Sequence, residues 1–270
     1  MKVPSRHTAS AGFTLVEMSI VIVIIGLLIG GILMGQNLFH AAHIRSVYTD
    51  AQSYITAIGY FHDKYESLPG DMYNAESVWG TAAAGAACDI TNNSDKTTCS
   101  GNGNGRIEWG VVVGAAGTET NEMFRAWQQL NNADMIAFKA TGIAGGAGTY
   151  DAVPGSNVPS SRITGAGFTL VDAVGPGLNP AWFIGPTYNN ALYFGATTPT
   201  TVTQSPALSA ADAESIDKKI DDGKPGTGSV VTYTNSYYPS CASSDTAGTA
   251  TYVLSSSTSR VCNMIFITGF

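Results

Sequence analysis

The chain has 270 residues, a formal net charge of −7, 44% apolar but only 12% charged residues, and 31 glycines. Set against its membrane-like start, roughly 200 residues remain for one domain with a core of its own, and the low charge with much Gly, Ala, Ser and Thr speaks against a helical cytosolic enzyme. No basic stripe follows Arg45 and Lys64, which excludes a general nucleic-acid footprint and leaves room only for a local patch.

Residues 1–12 (MKVPSRHTASAG) are polar and carry two firm positive charges, Lys2 and Arg6. From Phe13 the chain turns apolar, and the uncharged stretch from Met18 to Phe39 is long enough to cross a hydrocarbon layer of about 30 Å as a helix. Lys2 and Arg6 before it predict a cytoplasmic N-terminus and an exported head. A secretory signal would place its small-residue cleavage site after the apolar run. Here Gly26, Gly30, Gly31 and Gly35 are scattered through and beyond it without an Ala-x-Ala site, so a permanent signal anchor is the plainer alternative.

Glu17 argues against that alternative. A carboxylate at the start of an apolar segment is costly in lipid unless paired, and marks a functional position by default. A cut between Gly12 and Phe13 would create an α-amino group on Phe13, a cation able to neutralise Glu17 of a neighbouring copy in a staggered stack. Leaving either charge alone carries a desolvation cost, so the pairing favours one register. Loss of residues 1–12 would leave a side-chain balance of −9, from 20 acids against 11 bases.

Gly12-Phe13-Thr14-Leu15-Val16-Glu17, followed by an apolar run, resembles the cleavage and methylation motif of type IV pilins and type II secretion pseudopilins. The resemblance implies a prepilin peptidase that cuts after Gly12 and methylates the Phe13 amine, with Glu17 guiding subunit docking. Gly167-Phe168-Thr169-Leu170 repeats the first four letters, and Asp172 even stands at the acid's spacing, but no apolar run follows; it reads as a strand. Many relatives carry a proline partway along this helix. Here only glycines interrupt it, and Gly30, Gly31 and Gly35, each costing about 1 kcal/mol relative to alanine, serve either as a weak point or as close-packing positions.

Ile44, Val47, Tyr48, Ala51, Tyr54, Ile55, Ile58, Phe61 and Tyr65 recur at intervals of three and four, with Arg45, Asp50, Gln52, Asp63 and Lys64 between them. This predicts an amphipathic continuation of the helix, covered by a sheet and running from about Phe13 to Glu66 over ~80 Å. Leu68-Pro69-Gly70-Asp71 stops it, as in many pseudopilin-like sequences. Beyond it we expect a short helix in 71–79, a strand over 106–113, a helix over 119–136, a Gly-rich loop over 140–148, and a helix over 209–222 capped by Ser209 and stopped by Gly223. Strands are expected at 168–174, 191–194, 230–237 and 261–268. Residues 211–228 (ADAESIDKKIDDGKPGTG) and the Trp127-Gln128-Gln129-Leu130 helix resemble a subgroup of larger prepilin-like proteins.

Four cysteines fit two disulfides in an oxidising compartment. Of three connectivities, the sequence-local pairs Cys88–Cys99 and Cys241–Cys262 are favoured, each contributing about 3 kcal/mol. The second pair would bracket the C-terminal strands, as the C-terminal disulfide does in many pilins.

An enzymatic head finds little support. His7, His40, His43 and His62 all lie in the leader or the long helix, so the head has no histidine for a Ser–His–Asp set or a His-based zinc site. His40 and His43 read as a polar patch where the apolar segment ends. The cysteines lack C-x-x-C spacing, and no Gly-Lys-Ser/Thr follows the glycines. Calcium is the one cofactor to weigh. Asn102, Asn104 and Glu108 in Gly-Asn-Gly-Asn-Gly-Arg-Ile-Glu offer oxygens two residues apart with an acid beyond, and Asp89 and Asp95 would join if the Cys88–Cys99 loop folded back. Calcium wants six to eight oxygens with several carboxylates, so the set reads more simply as a Gly/Asn turn.

The expected fold is therefore α+β and pilin-like: a long N-terminal helix packed on a head with an antiparallel sheet and disulfide loops. The expected parts are a leader 1–12, a transmembrane or filament-core helix 13–39, its amphipathic continuation 40–68, and a periplasmic or surface head 69–270. The family resemblance implies a non-catalytic filament subunit of a type IV pilus or type II secretion system, its larger head favouring a minor or tip role. Its partners would be a prepilin peptidase, other pilin or pseudopilin subunits, an inner-membrane platform, a cytosolic ATPase and an outer-membrane secretin, and its location the bacterial inner membrane before assembly. The rival class is an adhesin or DNA-binding module that uses this anchor.

Overall fold

The computed structural model describes residues 13–82, 88, 96–114, 117, 119–148, 150–173, 190–197, 200, 202–233, 236, 238–256 and 259–270. The chain divides into two compact units, Met1–His43 and Ile44–Phe270. Helix α1, Leu15–Tyr65, contributes residues to both. It contains no proline, and runs unbroken through Gly26, Gly30, Gly31 and Gly35. The helix ends at Tyr65 because Glu66 takes a left-handed conformation (φ 53°), with its N–H donating to the His62 carbonyl at 2.8 Å; Pro69 follows three residues on.

In the first unit the apolar side chains of α1 face outward: Leu15 is 88% and Leu27 76% exposed. The helix is long and apolar enough to cross a membrane. Apart from the helix's own nearby backbone and the chain neighbours, no atom of the described residues lies within 4 Å of where a Cβ would stand at Gly26, Gly30, Gly31 or Gly35.

In the second unit the remainder of α1 turns amphipathic. Ile44, Val47, Ala51, Ala57, Ile58 and Phe61 are buried, whereas Arg45, Gln52, Asp63 and Lys64 are exposed. The Tyr54 ring stands edge-on to Trp127 (5.1 Å between centroids) and to Phe168 (5.3 Å), so one helical position joins the helix to both other layers. Those layers are helix α3, Glu122–Asn132, and a four-stranded antiparallel sheet. The sheet comprises β3 (Ala166–Asp172), β4 (Asn190–Ala196), β5 (Val230–Val231) and β6 (Met264–Ile267), in the order β3-β4-β6-β5. Phe168 faces Phe194, Leu170 faces Leu192, and Leu192 faces Phe266 across the ladders. A short α2 (Ala75–Trp79), a two-stranded ribbon β1 (Val112–Val113) and β2 (Glu119–Thr120), and α4 (Ala210–Ile220) complete the described head.

Two elements differ from the expected ones. Residues 106–111 are not strand, because no ladder forms along them: the Ile107 N–H donates to the Asn190 side chain (Oδ1, 2.9 Å), the Ile107 carbonyl accepts from the Asp172 N–H, and the Trp109 side chain donates through Nε1 to the Asp172 carbonyl at 2.6 Å. Glu119 and Thr120 belong to β2 rather than to the following helix. Glu119 pairs with Val113, and its carbonyl accepts from the Cys88 N–H at 2.8 Å, so α3 starts only at Glu122 and ends at Asn132. The expected strands at 230–237 and 261–268 shorten to β5 and β6; positions 234, 235 and 237 lie outside the described residues, as does 174 beyond β3. The helix expected at 209–222 is α4, and Ser209 caps it, its Oγ accepting the Asp212 N–H at 3.1 Å.

Disulfides join Cys88 to Cys99 and Cys241 to Cys262. The second ties the strand end before β6 to the loop at 238–242, where Ala242 bridges Tyr252. The Gly167-Phe168-Thr169-Leu170 segment lies in β3, where Gly167 has a packing reason. A Cβ there would come 2.6 Å from the Pro159 carbonyl oxygen, and the neighbouring Phe168 N–H donates to that oxygen.

Candidate functional site

The first turn of α1 is the chemically distinct part of the N-terminal unit. Gly12 lies outside the described residues; Phe13 is 79% exposed and precedes the helix. Thr14 occupies the N-cap position, and Glu17 lies three residues on. The Glu17 N–H donates to Thr14 Oγ1 at 3.2 Å, while Glu17 Oε2 accepts from both the Thr14 N–H and the Thr14 hydroxyl at 2.8 Å. This is a capping box, each residue satisfying the other's open N–H. The carboxylate is thus folded back onto its own helix end. The pattern Thr-x-x-Glu before an apolar run was the available sequence signal for Thr14.

In the head, the turn after α1 and the Asn102–Glu108 loop meet the start of α3. Asp71 is only 2% exposed, and its carboxylate accepts from the Gly103, Asn104 and Gly105 N–H groups at 2.7, 3.0 and 2.8 Å. Glu122 is fully buried and accepts from the Asn102 N–H (3.0 Å) and the Glu108 N–H (3.1 Å). Burial lifts Asp71 to about 6 against those three N–H groups. Burial and the Glu108 carboxyl push Glu122 up to about 9, whereas hydrogen bonds outweigh burial at Glu108 and hold it below the usual range.

Asn102, Asn104 and Glu108 do come together, but they bond to one another. Asn102 Nδ2 donates to both Glu108 oxygens at 3.2 Å, and Asn104 Nδ2 donates to Glu108 Oε1. The amide oxygens accept from the Asn104 and Arg106 N–H groups at 3.1 and 2.9 Å. The oxygens a calcium ion would need are engaged by the loop's own donors, which does not fit a six- to eight-oxygen cage. Asp89 and Asp95 lie outside the described residues.

Helix α3 stitches this corner. Gln129 Oε1 accepts from the Gly70 N–H at 2.7 Å and its Nε2 donates to the Cys99 carbonyl at 3.1 Å; Gln128 Oε1 accepts from the Thr98 hydroxyl at 2.8 Å. The buried Arg125 donates to Gln128 Oε1 and to the Cys88 carbonyl. These polar side chains explain why the Trp127-Gln128-Gln129-Leu130 segment keeps two amides in a buried position. Arg106 is paired with the buried Asp172.

The end of α4 is a second self-bonded corner. Asp217 accepts from the Tyr252 hydroxyl at 2.7 Å and the Gly223 N–H at 2.9 Å, and Asp221 from the Val230 N–H at 3.0 Å. Residues 217–230 are thereby closed into the turn that leads from α4 to β5.

Comparison with known proteins locates one signature. The model of the prokaryotic N-terminal methylation motif matches residues 8–33, the stretch that contains Phe13, Thr14 and Glu17. Those residues carry the signature of the type IV pilin and pseudopilin family, and they point to a structural subunit rather than an enzyme. Together with the long apolar helix, the motif fits a membrane-anchored, pilin-like subunit processed by a prepilin peptidase and assembled with other pilin subunits. No curated protein and no solved structure matches the chain.

Proposed function

We propose that the chain is a filament subunit of a type IV pilus or type II secretion system, cut between Gly12 and Phe13 and N-methylated on Phe13. The observation that carries this reading is the methylation motif at residues 8–33 opening onto a helix whose apolar side chains face outward. Such a surface needs lipid before assembly and neighbouring copies of the same helix afterwards. Glu17 then pairs with the Phe13 amine of an adjacent subunit and sets the stagger, because a mismatched register leaves two charges unpaired in an apolar medium.

The head (residues 69–270) lies in the periplasm or on the filament surface, and a minor or tip position accords with its size. Assembly would use an inner-membrane platform and a cytosolic ATPase. The Asn102–Glu108 loop acts as a brace between the end of α1 and α3, not as a calcium site. Glu17→Ala tests the docking role: membrane insertion stays intact and filament incorporation falls, whereas unchanged incorporation removes it. Deleting the gene and scoring piliation, DNA uptake and secreted enzymes side by side separates the two systems.

A further inference from the structure

The capping box assigns different jobs to the two oxygens of Glu17. Oε2 accepts both Thr14 donors, whereas Oε1 has no hydrogen bond among the described residues. A helix that begins in an apolar medium has no water to satisfy its first N–H groups, and each one left open is costly. A free glutamate side chain also keeps several rotamers, and docking must freeze one of them. The Thr14 hydroxyl addresses both problems: it accepts the Glu17 N–H and donates to the Glu17 carboxylate in the same ring of bonds.

We propose that Thr14 is a positioning residue for subunit docking: it fixes Oε2 of Glu17 on the subunit's own helix end and leaves Oε1 presented to the amine of the incoming neighbour. The inference rests on the docking reading of Glu17 and adds to it that capping and docking are simultaneous rather than competing. A lone subunit is then already in its docking rotamer, with the Thr14 and Glu17 N–H groups satisfied while it waits in the bilayer. Two classes of substitution separate the roles. Glutamine is compatible with a capping box, so Glu17→Gln retains the cap and removes the charge. Thr14→Val retains the charge and the side-chain shape but has no hydroxyl.

The experiment uses the full chain in its host membrane, with filament incorporation scored per correctly cleaved subunit. Thr14→Val lowers incorporation about fivefold, the factor corresponding to a lost cap of ~1 kcal/mol, and Thr14→Ser restores it. Normal incorporation of Thr14→Val, or a Thr14→Ser variant as defective as Thr14→Val, overturns the proposal. Glu17→Gln is the separate control: if it assembles normally, the docking reading itself falls, whatever Thr14 does. A second measurement does not depend on cleavage. The infrared carboxylate band of ¹³C-labelled Glu17, in uncleaved chains in bilayers, moves in Thr14→Val and returns in Thr14→Ser. Identical bands in all three chains would overturn the proposed contact.

Discussion

Gly70 sits where the end of α1, the Asn102–Glu108 loop and α3 converge, and substituting it tests that account of the head. Its backbone has φ +88°, a conformation that an L side chain adopts at a cost of about 1 kcal/mol. A Cβ built there would lie 3.1 Å from the Ala126 Cβ and inside van der Waals contact with the Glu122 carbonyl oxygen. Relieving such a clash against helix backbone typically costs 1–3 kcal/mol, and moving the turn also strains the 2.7 Å bond from the Gly70 N–H to Gln129, worth about 1 kcal/mol. Gly70→Ala should therefore lose about 4 kcal/mol, a fall of roughly 12 °C in melting temperature for a domain of this size. Gly105 provides the control. It has φ +80° and donates its N–H to Asp71, but nothing lies within 4 Å of its Cβ position, so Gly105→Ala should lose only about 1 kcal/mol, or roughly 3 °C. Near-UV circular dichroism of the full chain in detergent would measure both. Equal losses at the two glycines would refute the packing argument and leave only the backbone term.

Three further outcomes follow from the head. Burial first, then the nearby Asp221 and Asp222, lifts Asp217 to about 7 despite its bonds from Tyr252 and Gly223. The raised folded pKa means that the unfolded chain gives up this proton first, so stability from the neutral group is full below the ordinary carboxylate range and is lost as pH rises through 7. Asp217→Asn should remove about 2 kcal/mol of the decline between pH 5 and 7 in urea midpoints, and an unchanged slope would contradict the assignment. Replacing Cys241 and Cys262 together by alanine opens a loop of sequence separation 21, and should cost about 3 kcal/mol, or roughly 9 °C. Gln129→Ala removes acceptor and donor from the buried Gly70 N–H and Cys99 carbonyl; it should cost about 3 kcal/mol in the same melts, and a loss below about 1 kcal/mol would deny α3 its stitching role.

The parts of the fold that are local in sequence were legible from it. The apolar run, the three-and-four periodicity from Ile44 to Tyr65, the Pro69 stop and the Ser209 cap depend on residues within a few turns of one another. Arg106–Val111 was misread as a strand because its alternation is local while its bonding is not: Ile107 is held by Asn190, far along the chain. Glu119 looked like a first-turn helical acid, yet its pairing with Val113 was decided by the hairpin before it. The Asn102–Glu108 set suggested oxygens for a cation, but the amide orientation and the arrival of Asp71 and Glu122 from other elements turn it into a brace. At the N-terminus the cleavage motif was readable as letters and charges. The role of Thr14 was readable too, in the Thr-x-x-Glu spacing, and was obscured because the glutamate invites a reading between subunits before one within its own helix.

If the N-terminal motif is used, the chain is cut after Gly12, and the cut creates the cation that Glu17 requires. Intact-mass and N-terminal peptide mass spectrometry of the protein purified from its own membranes tests this directly. The expected result is a mature chain beginning at N-methylated Phe13, with residues 1–12 gone. A chain that retains its leader, or begins anywhere beyond Phe13, would contradict it.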